Sequence, residues 1–193
     1  ERIRPHFHLS VQSGSDRILK LMKRPYLAHQ VAEAVGRLRA VKEDAFIACD
    51  IISGFPGETE EDFFETQKMC RDLNFTWIHA FPFSARPGTE AFTMKPTVGT
   101  QTASKRVLLL TGMAKEQKET FVQTMMGKNY KAIVEKRQTL PLRAVTENFI
   151  HTELIIPETF DPESIKGKEV MVKITEKSTL SNCEAKAIYI ELI

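Results

Sequence analysis

Three short polar segments interrupt the apolar runs of the first 90 residues, and each carries side chains suited to holding a small ligand. The first is Gln12-Ser13-Gly14-Ser15, just ahead of a stretch with helical spacing. Polar atoms beside a helix N-terminus suit the hydroxyls or carboxylate of a ligand. They suit simple helix capping equally well, a common use of Ser. The second segment begins at Asp50, the one carboxylate in the run Phe46-Ile47-Ala48-Cys49-Asp50-Ile51-Ile52. A charge in such a run is costly unless it is paired or functional. Asp50 is therefore either ion-paired to a lysine or arginine or turned toward a ligand. Ser53-Gly54-Phe55-Pro56-Gly57 follows, and its glycines permit a tight turn or a close approach of backbone to ligand. The third segment runs from Phe83 through Ser84-Ala85-Arg86-Pro87-Gly88.

These segments have to be positioned by βα units. His6 to Val11 reads as a strand, followed by a short helix to Lys23 that Pro25 stops. A second helix spans Ala28 to Val41, with Val31, Ala34, Val35, Leu38 and Val41 on one face. The run at Phe46 reads as a strand buried on both faces of a parallel sheet. Thr59 and Asp62 make a capping box for the next helix, whose apolar face is Phe63, Phe64, Cys70 and Leu73. Thr76 to Phe83 gives a third strand, and a long helix from Ala103 to Met126 closes this part. Each polar segment then sits at the C-terminal end of a strand, where sheets and barrels of this class place their ligands. Beyond about residue 127 the pattern changes to short alternating runs. Val170, Val172 and Ile174 stand opposite Lys173 and Thr175. Five such strands in under 70 residues predict a small antiparallel barrel or sandwich. The fold class expected is thus α/β, a partial (β/α) barrel followed by a small all-β barrel, with the boundary at 125/126.

Composition excludes little. The 193 residues carry 27 Lys+Arg against 25 Asp+Glu, a net charge of +2, which announces neither nucleic acid nor membrane. No apolar run approaches the roughly 20 residues of a membrane span. The chain starts at Glu1 without a signal-peptide pattern and reads as a piece of something longer. Cys49, Cys70 and Cys183 are odd in number and widely spaced, which argues for a reducing compartment and against a disulfide framework. They form no metal-binding cluster. The five histidines show no ligand spacing beyond the His6/His8 pair, which reads as structural. No nucleophile elbow, P-loop or dinucleotide fingerprint is present.

Three segments carry a resemblance. His8-Leu9-Ser10-Val11-Gln12-Ser13-Gly14-Ser15-Asp16 with Leu19-Lys20-Leu21-Met22-Lys23-Arg24, then Asp50 through Thr59, then Phe81-Pro82-Phe83-Ser84-Ala85-Arg86-Pro87-Gly88-Thr89, resemble successive signatures of the radical S-adenosylmethionine (SAM) methylthiotransferases in order and spacing. From Met126 onward the chain is similar to that family's TRAM domain, an OB-like RNA-binding barrel. The resemblance implies a cytoplasmic tRNA-modifying transferase whose [4Fe-4S] cluster cleaves SAM reductively to a radical, with a second cluster in a separate domain. It implies that Gln12 and Ser13 lie near the SAM ribose, that Asp50 and Ile52 line the pocket, that Phe83 lies near the adenine, and that Arg24 meets the SAM carboxylate. It names no catalytic residue here.

The family's Cys-x-x-x-Cys-x-x-Cys ligand run is absent from these 193 residues. The expectation is therefore that this chain ligates no cluster and is inert by itself, the clusters belonging to the parent protein. Thr146-Glu147-Asn148-Phe149 resembles the branch that acts on threonylcarbamoyladenosine in the tRNA anticodon stem-loop. Other branches act on isopentenyladenosine or on an aspartate of a ribosomal protein, and a purely RNA-binding role without chemistry is a further class. Lys128, Lys131, Lys136, Arg137 and Arg143 are the expected RNA contacts, although residues 126–193 hold 10 basic and 10 acidic residues. Exposed sheet edges predict dimerisation of the isolated piece.

Overall fold

The computed structural model describes residues 2–136 and 141–193. The described residues form two compact units, Phe7–Lys118 and Glu119–Ile193 together with the first six residues. The division falls at Lys118, ahead of the 125/126 boundary of the sequence reading.

The first unit is built on a three-stranded sheet in the order β1-β2-β3. Its strands are β1 (His6–Gln12), β2 (Phe46–Ser53) and β3 (Trp77–Pro82). Its helices are α1 (Asp16–Leu21), α2 (Ala28–Val41), α3 (Glu60–Asp72) and the part of α4 (Thr100–Thr124) up to Lys118. β2 and β3 run parallel, with Asp50 opposite His79 and Ile52 opposite Phe81. Parallel pairing requires a crossover, which α3 supplies. One face of the sheet is dry: Val11, Ile47, Cys49, Ile51 and Ile78 pack against Val31 and Val35 of α2, Phe63, Met69 and Cys70 of α3, and Leu110 and Ala114 of α4. Because side chains alternate along a strand, the other face carries His8, Ser10, Asp50, Ile52, His79 and Phe81. Two predicted faces need correction. Val41 is 80% exposed and Phe64 61% exposed, while Met69 takes the inward place on α3. Ala34 is exposed as well.

Short polar contacts lock the strand ends. The Gln12-Ser13-Gly14-Ser15 segment docks on α3. Gly14 N–H donates to Thr66 Oγ1 at 2.9 Å, and a Cβ on Gly14 would lie 2.6 Å from Thr66 Cα. Ser15 Oγ donates to Asp62 Oδ1 at 2.7 Å. Arg17 donates to both Asp62 oxygens. Thr59 adds its N–H at 2.8 Å and its hydroxyl at 2.7 Å, and Asp62 N–H returns to Thr59 Oγ1 at 3.2 Å. The predicted capping box is therefore present, with Asp62 also fastening the β1–α1 turn. Burial pushes the Asp62 carboxyl up, but the bonds from Arg17, Ser15 and Thr59 outweigh it and hold the group well below the usual carboxylate range. Asp16 accepts the Ala28 N–H at 2.8 Å, so it serves the start of α2.

The second unit contains a closed five-stranded barrel of β4 (Asn129–Val134), β5 (Arg143–Thr146), β6 (His151–Ile155), β7 (Glu169–Lys177) and β8 (Ala185–Leu192). The order around the barrel is β4-β5-β6-β8-β7. Pairing is antiparallel except between β6 and β8, which run parallel, so the purely antiparallel expectation is corrected at that seam. The inward positions are Ala132, Val134, Ala144, Leu154, Val170, Val172 and Ala187. Small alanines at three of them let so few strands close around a filled interior.

Gly14→Ala should destabilise the first unit by about 1–3 kcal/mol, because Thr66 belongs to a helix backbone that cannot step aside; urea denaturation at pH 7 measures it. Asp62→Asn should cost about 2 kcal/mol at pH 7. The folded carboxyl titrates below the unfolded value of about 3.9, so its contribution is whole above about pH 4 and fades as pH falls through the lower folded value. The gap between wild type and variant should therefore narrow below about pH 4, as read by denaturation at several pH values.

Candidate functional site

A cleft of about 800 Å³ opens in the first unit at the C-terminal ends of its strands, a size suited to a small organic ligand. Its walls bring together Gln12 from β1, Arg24 beyond α1, Asp50 and Ile52 from β2, and Phe83 beyond β3. Of the residues singled out as ligand-binding, only Ser13 is not on this wall. Ser13 is fully buried, its Oγ 3.3 Å from Thr66 Oγ1 and accepting the Ser15 N–H at 3.2 Å. It shapes the turn from inside. Ser15 occupies the N-cap position of α1 but makes no side-chain cap, since its hydroxyl goes to Asp62.

Each wall residue has a local cause. Gln12 has φ 72, and the Ser13 N–H donates to Val11 O at 3.0 Å across it. That is a γ-turn centred on a residue other than Gly, a conformation rarely adopted without a compensating use. Arg24 is delivered by the end of α1. Lys23 takes the left-handed conformation with φ 56, its N–H reaches Lys20 O at 3.0 Å, and the Arg24 N–H reaches Leu19 O at 2.9 Å. This is a Schellman closure with Lys where Gly is usual. Lys23 also pairs with Glu90 across the mouth.

The β2 end is held from behind by a buried ion pair. The Glu58 and Arg106 side chains are 1% and 5% exposed and are bonded to each other. Glu58 also accepts the Gly54 N–H at 2.7 Å. Arg106 reaches Glu60 at 2.5 Å and lies over the Phe63 ring, 5.0 Å from its centroid. Burial pushes the Glu58 carboxyl up, opposed by the Gly54 N–H and Arg106. Gly54 itself has φ 81, and a Cβ there would meet Ala103 Cβ at 2.8 Å. The turn that follows presents Phe55, edge-on to Phe83 with centroids 5.1 Å apart, and Phe83 N–H donates to Ser53 O at 2.7 Å. The cleft thus has an aromatic and aliphatic wall from Ile52, Phe55 and Phe83. It has the Asp50 carboxylate, the Gln12 amide and the Arg24 and Arg86 guanidinium groups, with Glu90 paired to Lys23. That set suits a ligand with a flat ring, hydrogen-bond donors and an anionic group.

Asp50 answers neither sequence alternative in full. No lysine or arginine pairs with it among the described residues. His8 Nε2 lies 2.8 Å from Oδ1, and Ser10 Oγ donates to Oδ2 at 3.4 Å. His8, Ser10 and His79 were missed in the sequence. The available signal was that residues 8, 10 and 12 share one strand face.

The cysteines do not fit an iron–sulfur cluster, which needs several accessible thiolates. Cys49 and Cys70 are buried in the core behind the sheet, and Cys183 is buried in the other unit. Burial pushes the Cys49 thiol far up, and Cys70 beside it adds to the shift. Among the described residues no group of three His, Cys, Asp or Glu is placed to hold a metal ion. No helix among them is long and apolar enough to cross a membrane.

Two of the basic residues expected to meet RNA lie beside acids. Lys131 on β4 is flanked by Glu147, which accepts its N–H at 3.3 Å and donates its own N–H to Lys131 O at 2.7 Å. Arg143 is registered opposite Glu153. Lys136 lays its stem across Gly167, and Lys128 is exposed. Arg137 lies outside the described residues. In the Thr146-Glu147-Asn148-Phe149 turn, Asn148 is fully buried and accepts the Thr146 hydroxyl at 2.6 Å. Phe149 has φ 62 and stacks on His6 at 4.0 Å.

Residues 2–70 match the model of the radical SAM superfamily. The chain is 48% identical over 93% of its length to the threonylcarbamoyladenosine tRNA methylthiotransferase MtaB of Treponema pallidum, and 38% identical over 78% to that of Aquifex aeolicus. It is 34% identical over 94% of its length to the tRNA-2-methylthio-N(6)-dimethylallyladenosine synthase of Bartonella tribocorum. The matches span 36%, 36% and 39% of those relatives, so the chain corresponds to a little over a third of each. With one end matching the superfamily model and most of its length matching these enzymes, the chain belongs to the radical SAM methylthiotransferase family.

Proposed function

We propose that this chain is the portion of a tRNA methylthiotransferase that holds SAM and meets RNA, and that the parent enzyme adds a methylthio group to C2 of N6-threonylcarbamoyladenosine beside the anticodon. The cleft carries this reading. Five residues whose sequence context resembles the family's SAM signatures, drawn from the ends of β1, α1, β2 and β3, line one cavity of suitable size. Ile52 and Phe83 are the ring-binding surface, Gln12 and Asp50 take polar groups, and Arg24 takes a carboxylate. Bound SAM supplies the radical precursor and the methyl group. The thiolates for its cluster come from residues other than Cys49, Cys70 and Cys183, so the chain by itself is inert. Its setting is cytoplasmic.

The barrel supports an RNA-binding role of the OB-like TRAM type. Its strands follow the order first, second, third, fifth, fourth, and the third and fifth run parallel, a five-stranded closure that OB-folds use for oligonucleotides. With Lys131 and Arg143 beside acids, the electrostatic share of binding is small. The relatives named for dimethylallyladenosine, at 34–39% identity, keep that base open as the second substrate reading.

Mass spectrometry of tRNA nucleosides from cells with and without the parent gene tests the substrate. Loss of methylthio-threonylcarbamoyladenosine with methylthio-isopentenyladenosine retained is the expected result. The reverse selects the second reading, and no change in either removes the tRNA assignment. Binding of the chain to an anticodon stem-loop should show a log–log salt slope shallower than about −3, since Lys131 and Arg143 lie beside Glu147 and Glu153.

A further inference from the structure

Asp50 is the only carboxylate on the β2 wall of the cleft, and its orientation is set by a residue that does not line the cleft. His8 Nε2 stands 2.8 Å from Asp50 Oδ1. An ionised carboxylate only accepts, so the Nε2–H of His8 donates to it. The His8 ring is held in turn. It stacks on His79 with centroids 4.9 Å apart and planes 23° from parallel. His79 stacks toward Phe81 at 6.5 Å and 7°, and meets Trp77 edge-on at 6.2 Å. The register that puts Asp50 opposite His79 fixes this row of rings beside the carboxylate. Ser10 Oγ, at 3.4 Å, is the weaker second support.

We propose that His8 is a positioning residue of this site: by donating from Nε2 it holds the Asp50 carboxylate in the rotamer that receives a hydrogen-bond-donating hydroxyl or amine of a nucleoside-type ligand. The inference rests on reading the cleft as the SAM site. Without His8, Asp50 is left with Ser10 and turns to water, and the ligand has to order it on binding. The stack on His79 matters because it fixes the imidazole before the ligand arrives.

Equilibrium dialysis of SAM against the whole chain, with thermal melting as a control, tests this on His8→Phe, His8→Gln, Asp50→Asn and the His8→Phe/Asp50→Asn double variant. His8→Phe keeps a ring on His79 but removes the donor. His8→Gln keeps an amide donor near the Nε2 position. The expected result is a loss of about tenfold in affinity for His8→Phe, recovery to within about threefold for His8→Gln, and no further loss when His8→Phe is added to Asp50→Asn. Wild-type affinity in His8→Phe overturns the proposal and leaves the SAM site standing. An equal loss for His8→Phe with or without Asp50 also overturns it, since the effect then does not pass through the carboxylate. Failure of the wild-type chain to bind SAM removes the reading of the cleft, and the proposal with it.

Discussion

A single buried carboxylate does much of the work of assembly in the first unit. Asp62 is 5% exposed, and its two oxygens accept from Ser15, Arg17 and Thr59. A buried charge is tolerable only when such acceptor sites are filled. Here the donors come from the β1–α1 turn, from α1 and from the start of α3, so meeting that requirement brings them together. Gly14 can then press on Thr66, and Ser13 is enclosed. The Glu58–Arg106 pair does the same for the β2 end and α4. Both ion pairs act behind the cleft, and neither consumes a group that lines it.

Much of this was legible in the sequence, and the exceptions have physical reasons. The helix over Ala28–Val41 and the Thr59/Asp62 box were readable because each depends on near neighbours in the chain. The strand-end placement of Gln12, Asp50 and Phe83 was readable from the alternation of element types. The duty of Ser13 and Ser15 was not, because their partners lie 53 and 47 residues away and nothing local distinguishes a capping serine from a docking one. His8 was dismissed because only the sheet register sets it against Asp50. Val41 and Phe64 fit the helical period and still face solvent, since a period names a stripe without saying how far the neighbouring element extends.

The barrel shows the same divide. Period-two spacing in the sequence announces short strands, but the parallel seam between β6 and β8 is a long-range choice. Charge is decided there too. Of the basic residues that cluster along the chain, strand pairing sets Lys131 beside Glu147 and Arg143 opposite Glu153, neighbours that a run of letters does not announce.

The γ-turn at Gln12 divides labour between adjacent residues. Gln12 meets the cavity, while Ser13 and Gly14, the very next positions, are enclosed by α3. A change of side chain at Gln12 therefore alters what the cavity accepts without touching the joint that keeps the sheet and helix together. Within one short motif, one letter is open to drift in ligand preference and the next two are tied to the architecture. A lineage is thereby free to retune the pocket without rebuilding its scaffold.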